Sequence, residues 1–142
     1  MEYSWIIFAL LSAFTAALVA IFGKIGLHGV DTNTATAVRS VIMALFLISV
    51  IIIQGKLGQV SSIVSNHKAL LFIVFSGIAG ALSWMFYFLA LKHGEVAKVA
   101  PIDRLSVVFA IVLALLFLGE SVSLKEGIGA ALIAAGAIVM VL

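Results

Sequence analysis

Three ionisable residues interrupt stretches of sequence that are otherwise apolar: Arg39, Asp103 and Arg104. A carboxylate or guanidinium in such a place can bind a charged solute, and a carboxylate can also carry a proton. The same groups can instead form a structural ion pair. Asp103 is the stronger functional candidate, because its short side chain cannot extend to water as arginine and lysine can. Lys24 is a further candidate nearer the rim, where its stem can reach the surface.

A proline and two aromatic residues complete the set of candidates for solute contact. Pro101 is the only proline, and it precedes Asp103 by two residues. It either bends its helix from inside or begins the helix at the first turn. Trp84 and Tyr87 can form an aromatic wall with hydrogen-bond donors for an amphipathic solute. They can equally act as lipid-facing anchors at the membrane interface.

Patterns for catalysis or cofactor binding are missing from the sequence. The three histidines, at positions 28, 67 and 93, lack metal-ligand spacing, and there is no cysteine. The chain has no G-x-S-x-G, no phosphate-binding glycine–lysine loop and no H-E-x-x-H sequence. We therefore expect no enzyme activity, no metal and no cofactor.

The composition places these residues in a membrane protein. Apolar residues make up 65% of the 142 residues and charged residues 10%, compared with about 45–50% and about 25% in soluble domains. The net charge of +2 is too small and too scattered for a nucleic-acid-binding surface. We expect the lipid bilayer and a small-molecule solute as partners, no nucleic acid, and a multi-pass protein of the cell membrane.

Five apolar segments of helical length must position the candidates. They predict an all-α membrane protein with five transmembrane helices in one domain, residues 1–142. The expected spans are approximately 4–22, 33–53, 69–91, 96–118 and 124–142. Each approaches the ~20 residues that a helix needs to cross ~30 Å of hydrocarbon. Because five is odd, the termini lie on opposite sides of the membrane, and a second copy can insert upside down.

Basic residues outside the spans are divided almost equally between the two sides of the membrane. One side carries Lys56, Lys68 and Lys125, and the other carries Lys24, Lys92 and, near a helix start, Lys98. In most membrane proteins basic residues accumulate on the cytoplasmic side and fix the orientation. The near balance predicts insertion in both orientations and an antiparallel homodimer of ten helices.

The lengths of the second and fourth spans place charges inside the membrane. The uncharged part of the fourth span, Leu105–Gly119, has about fifteen residues and a length of roughly 22 Å. This is short of the ~30 Å hydrocarbon thickness, so Asp103 and Arg104 are expected in or against the apolar zone. Arg39 lies about one to two turns inside the second span. At that level it can meet Asp103.

Two local patterns predict where helices begin and how the fifth span packs. Asp31 or Thr32 is the expected N-cap of the second span. Ser123 and Glu126 match a capping box at the start of the fifth. Small residues four apart predict close packing along one stripe of the fifth span: Gly127, Ala131 and Ala135.

Several short sequences recur in the order and spacing of a known family. They include Ala81-Leu82-Ser83, Tyr87–Leu91, Val99-Ala100-Pro101, Leu118-Gly119-Glu120 and, in the first half, Ile21–Lys24 and Arg39. On these residues the chain resembles the EamA domain of the drug/metabolite transporter superfamily. Most members carry two such domains in tandem, with ten spans and inverted halves. This chain is similar to the short members that have five.

The resemblance implies a secondary transporter that exports or exchanges a small metabolite or an amino-acid-like solute. Alternating access between two inverted protomers, each one half-transporter, would then carry the solute. The resemblance places seven residues near the solute path: Lys24, Arg39, Trp84, Tyr87, Pro101, Asp103 and Arg104. The alternative is a non-transporting accessory or assembly subunit of another membrane protein.

Overall fold

The computed structural model describes residues 4–142, whose regular elements are all helices. They are α1 (Ser4–Gly26), α2 (Thr32–Ile53), α3 (Gly58–Ser65), α4 (His67–His93), α5 (Val96–Asp103), α6 (Ser106–Leu113), a π-helical turn (Ala114–Leu118) and α7 (Leu124–Val141). Five stretches are long and apolar enough to cross a membrane; the fourth, Val96–Leu118, combines α5, α6 and the π-helical turn. The expected fold class, an all-α membrane protein with five spans, is confirmed.

The helices are distributed between two compact units. The central unit, Gly26–Lys92, contains α2, α3 and nearly all of α4. The terminal unit joins residues 4–25 to His93–Leu142 and contains most of α1 together with α5, α6 and α7. The single domain expected from the sequence stays a prediction.

Large apolar side chains lie exposed along the spans. Phe46 on α2 is 67% exposed, Phe72 on α4 is 62% exposed and Leu132 on α7 is 68% exposed. Water would make such surfaces costly, whereas lipid tails are as apolar as leucine and cover them without penalty. The exposed surfaces therefore fit helices surrounded by lipid, and the few buried side chains mark the faces that pack against protein.

Side-chain caps begin the second and fifth spans as the sequence predicts. Asp31 caps α2, with its carboxylate accepting hydrogen bonds of 2.8 Å from both the backbone N–H and the hydroxyl of Thr34. These bonds, the backbone one first, hold the pKa of Asp31 below its usual value. At α7, the Glu126 carboxylate accepts a 2.7 Å bond from the Ser123 N–H, and the Ser123 hydroxyl accepts one from the Glu126 N–H. The capping box is confirmed.

The packed face of α7 differs from the stripe that the sequence favours. Ala130 and Ala137 are the buried residues, 8% and 4% exposed, and α7 packs against α5 and α6. Gly127, Ala131 and Ala135 are exposed. Because α7 carries small residues on more than one side, four-residue spacing alone cannot select the face that packs within the chain, and packing of the exposed stripe against a second copy stays a prediction.

The fourth span is broken near its middle. Pro101 lies inside α5, not at its first turn. Its ring nitrogen has no hydrogen, so the Ala97 carbonyl cannot receive the usual helical bond from residue 101. The Arg104 N–H then bonds both the Ala100 and the Pro101 carbonyl, at 3.3 and 3.1 Å. α5 ends at Asp103, and α6 begins after a two-residue turn at Ser106.

A second irregularity ends the fourth span. Ala114–Leu118 form a π-helical turn, and Gly119 follows with φ +65°. A glycine adopts this left-handed conformation without the steric cost that a Cβ would bring. The Glu120 N–H bonds the Ala114 carbonyl at 3.4 Å, which closes the wide turn. The span therefore stops sharply and leads directly to the capping box of α7.

Candidate solute-binding site

The closest contact among the expected site residues joins Arg39 of α2 to Trp84 of α4. The guanidinium carbon lies 3.7 Å from the centre of the Trp84 ring. This is van der Waals contact for the carbon itself. A perpendicular guanidinium would bring one or two of its nitrogens to about 3 Å or less from the ring plane, closer than van der Waals contact, so we infer that the group lies nearly flat on the indole. This cation–π arrangement directs the N–H groups of Arg39 sideways, away from the ring.

Two further aromatic rings hold Trp84 in place. Tyr87 approaches edge-on, with 5.6 Å between ring centres and an interplanar angle of 89°. Phe88 does the same at 5.8 Å and 82°, and it also lies 5.5 Å below the Arg39 guanidinium carbon. Edge-to-face packing at these distances is favourable because the positive edge of one ring meets the negative face of another. Phe88, which the sequence did not single out, is only 4% exposed.

Helical spacing explains why these side chains meet. On α4, Trp84, Tyr87 and Phe88 are three and four residues apart and therefore share one face. On α2, Arg39 follows the buried Thr36 by three residues on a similar face. The Thr36 hydroxyl donates a 2.8 Å hydrogen bond to the Thr32 carbonyl, so its burial leaves no donor unsatisfied.

Within the central unit, the described residues give Arg39 no acidic neighbour. Asp31 is the single acidic residue of this unit, whereas Arg39 is joined by three lysines, Lys56, Lys68 and Lys92. Asp31 lies eight residues away on α2, or about 12 Å along the axis. Its carboxylate is already engaged by Thr34. Within the described residues of this unit, no carboxylate pairs with the half-buried Arg39.

In the terminal unit, Lys24 reaches back to a loop. Its ammonium donates a 2.8 Å hydrogen bond to the backbone carbonyl of Gly94, between α4 and α5. Lys24 is half-buried near the end of α1. The bond ties the end of α1 to the beginning of the broken span.

Pro101, Asp103 and Arg104 lie together at the break between α5 and α6. Pro101 and Asp103 are half-buried, and Arg104 is exposed. Pro101 and Arg104 also line an open groove of about 410 Å³ beside α7, together with Ala100, Leu132, Ile133, Gly136, Ala137 and Met140. The groove offers an apolar wall and a single cationic side chain. The predicted pairing of Asp103 with Arg39 stays a prediction.

A second groove of about 460 Å³ lies at the other end of α6. It is lined by Val107, Ala110, Ile111, Ala114, Glu120, Ser121, Val122 and Glu126. Glu126 already serves the capping box, which leaves Glu120 as the other acidic group. The sequence did not single out this groove, because it forms only where the π-helical turn faces the start of α7.

The seven expected residues thus fall into two local groups. Arg39, Trp84 and Tyr87 form one cluster with Phe88 in the central unit. Lys24 and the residues of the α5–α6 break belong to the terminal unit. Their roles in solute contact stay predictions. The four-residue spacing of Trp84 and Phe88 was the signal that could have added Phe88 from sequence alone.

Comparison with known proteins agrees with this architecture. Residues 3–142 match the sequence profile of the EamA-like transporter family. A Sinorhizobium protein described as an uncharacterized transporter in the cobO 3′ region is 40% identical over 140 residues, covering 99% of this chain and 98% of that protein. No solved structure is similar to the chain. With five apolar spans and a family match over nearly its whole length, this chain belongs to the EamA-like transporter family of the drug/metabolite transporter superfamily and is a multi-pass membrane transporter.

Proposed function

We propose that the chain exports or exchanges a small metabolite across the cell membrane by alternating access between two inverted protomers. The position and contact of Arg39 are the observation that best supports this proposal. Arg39 lies seven residues into a membrane-spanning helix, about 10 Å from the helix start, and stacks on Trp84. A cation at such depth, with no carboxylate beside it in its unit, is costly unless it serves a solute or a partner.

The pairing of two inverted copies follows from the five-span unit. An odd number of spans puts the two termini on opposite sides of the membrane, so that a second copy, joined or paired, can be inverted relative to the first. Lysines on the two sides are nearly balanced, which permits both orientations. The Sinorhizobium relative is matched over 98% of its own length. A transporter of one five-span unit is therefore not peculiar to this chain.

The break in the fourth span supports movement during transport. Transporters often form their sites at discontinuous helices, where irregular backbone lines a cavity. Here Pro101 interrupts the hydrogen-bond ladder and Asp103 ends α5 at the same place. We assign Asp103 to solute or proton binding and Arg104 to the solute path. Lys24, held by the Gly94 carbonyl, anchors the rim.

Reconstitution of the purified chain in liposomes tests the proposal. Counterflow of a library of radiolabelled metabolites, grouped by charge, is measured with this protein as the only one present. We expect saturable uptake of at least one group and none in protein-free liposomes. If no group is transported, and the chain copurifies from its native membrane with a different membrane protein, the accessory-subunit alternative is correct.

A further inference from the structure

We propose that the solute group bound at Arg39 is a carboxylate, so that the transported molecule is a small organic anion. This inference rests on the proposed function, because it assigns a substrate class to the same site. It begins from the flat stacking of the Arg39 guanidinium on Trp84 at 3.7 Å.

Stacking fixes the direction in which Arg39 can donate hydrogen bonds. The guanidinium is planar, and its N–H groups lie in that plane. With one face on the indole, the donors point parallel to the ring surface. The edge of the guanidinium, which carries these N–H groups, matches the two oxygens of a carboxylate in a bidentate pair. The aromatic contact also reduces the side-chain freedom that would be lost on binding, which favours affinity.

The charge balance of the central unit selects an anion. Its one carboxylate, Asp31, caps α2 and accepts hydrogen bonds from Thr34. No other acidic residue occurs between Gly26 and Lys92. Within this unit a cationic solute at Arg39 would meet no unengaged carboxylate, whereas an anion would balance the guanidinium charge. One guanidinium balances one negative charge, which fits a carboxylate better than a phosphate dianion.

The neighbouring rings indicate the rest of the solute. Trp84 and Tyr87 are half-buried and Phe88 is buried, so the guanidinium is bordered by aromatic surface. Such surface favours an apolar body attached to the carboxylate. A cationic group on the solute would instead be repelled by Arg39.

Fluorescence of Trp84 gives a binding assay that does not depend on transport. In a Trp5→Phe background, Trp84 is the only tryptophan. The probes are 3-phenylpropanoate, its neutral amide, 3-phenylpropylamine and phenylalanine, which share one aromatic body. We expect saturable fluorescence change with the carboxylate, and affinity about 10- to 100-fold weaker for the amide and the amine, as for loss of a charge-assisted hydrogen bond. Phenylalanine should bind less tightly than the plain carboxylate.

Substitutions connect the binding to Arg39. Arg39→Gln should weaken carboxylate binding about 10- to 100-fold, and Arg39→Lys should also weaken it because lysine lacks the planar fork. Lys68→Gln is the matched control, since it removes a positive charge from the same unit at an exposed position, and it should leave affinity within about twofold. The amide comparison uses the unaltered site and stays decisive if an Arg39 variant fails to fold.

The outcomes separate this inference from the proposed function. Equal affinity for the carboxylate and its amide, or an unchanged affinity in a folded Arg39→Gln variant, would overturn the carboxylate assignment. Flux of other solutes would then still support a transporter. Selective carboxylate binding without any flux in liposomes would support the assignment while counting against transport by this chain alone.

Discussion

At the scale of residues, the contact between Arg39 and Trp84 explains how a charge is tolerated within a span. The indole face replaces part of the lost hydration, and Tyr87 and Phe88 hold the indole edge-on. An arginine free to extend would be expected to reach toward the membrane surface. Its confinement against the rings is therefore the clearest local indication of a site.

Asp103 permits the most direct residue-scale prediction. Asp103→Asn removes the charge while keeping the size, and we expect about 10- to 100-fold slower transport with normal expression, because a charged hydrogen-bond partner is lost. Glu95→Gln is the control, since Glu95 is exposed and its side chain makes no capping bond to α5. Flux in liposomes measures both. Unchanged flux in Asp103→Asn would remove this carboxylate from the mechanism.

At the scale of elements, the caps show which parts of the fold depend on single side chains. The lowered pKa of Asp31 means that its carboxylate stabilises α2 in the ionised form. The contribution is present above the ordinary carboxyl pKa of about 4 and is lost as pH falls through the lowered folded-state pKa. Lys92 adds a smaller attraction in the same direction.

A pH series therefore distinguishes Asp31→Asn from the natural protein. Asparagine caps helices about as well as aspartate but does not titrate. We expect similar melting temperatures at pH 7 and a relative loss of stability by the natural protein below about pH 4. Thermal unfolding in detergent measures the difference in melting temperature between the two chains. Both chains contain the same other carboxylates, so the effects of those groups cancel in this difference. A difference that is constant from pH 7 to pH 3 would contradict the prediction.

The capping box gives a second prediction for helix starts. Ser123→Ala removes the hydroxyl that accepts the Glu126 N–H and should lower the free energy of unfolding by about 1 kcal/mol. Ser121→Ala, in the same connection, should change it by less than about 0.5 kcal/mol, since Ser121 makes no hydrogen bond to the described residues. Unfolding in mixed micelles measures both, and equal losses would show that the cap is unimportant.

The short helix α3 connects two spans and is amphipathic. Leu57, Val60 and Val64 lie on one side, and Gln59 and Ser62 lie on the other. Because α2 and α4 both cross the membrane, we expect α3 to lie in the interface with its apolar side against the lipid.

Thiol labelling tests this position of α3 without interference, since the chain has no cysteine. In broken membranes, Ser62→Cys should react with a water-soluble maleimide several times faster than Val60→Cys. Detergent should remove most of the difference. Equal rates before detergent is added would place α3 in water instead of at the lipid surface.

At the scale of the whole molecule, the balance of lysines predicts both orientations in one membrane. Ser61→Cys lies in the connection between α2 and α4, and His93→Cys lies at the end of α4, so we expect the two cysteines on opposite sides of the membrane. In intact cells, an impermeant maleimide should block the cysteine in about half of the molecules of each variant, because each cysteine faces the outside in only one of the two orientations. Two lysines added beside Ser61, Gln59→Lys and Ser65→Lys, should shift most molecules into one of the two orientations. The labelling should then be strong at one of the two cysteines and weak at the other. Labelling of only one site in the original background would exclude dual orientation.

Local chemistry made much of the fold predictable from sequence. Five apolar stretches and the Ser123–Glu126 capping box depend on residues adjacent in the chain and were correctly expected, and Asp31 was one of the two expected caps of α2. The break near Asp103 was foreseen only as two possibilities, because proline is accepted both at the first turn and within a bent helix. The π-helical turn had no signal strong enough to be read beforehand.

Sequence alone therefore determined that this is a five-span membrane protein of a transporter family, with a few charged residues within its apolar spans. Tertiary structure decided which residues those charges meet. Arg39 contacts Trp84 and Phe88, which lie on a helix distant in sequence. Within the chain, α7 buries Ala130 and Ala137 and not the stripe that contains Ala131. The reason is physical: on helices that are apolar all round, hydrophobic periodicity selects no face. Only the shapes of the packed neighbours can choose one.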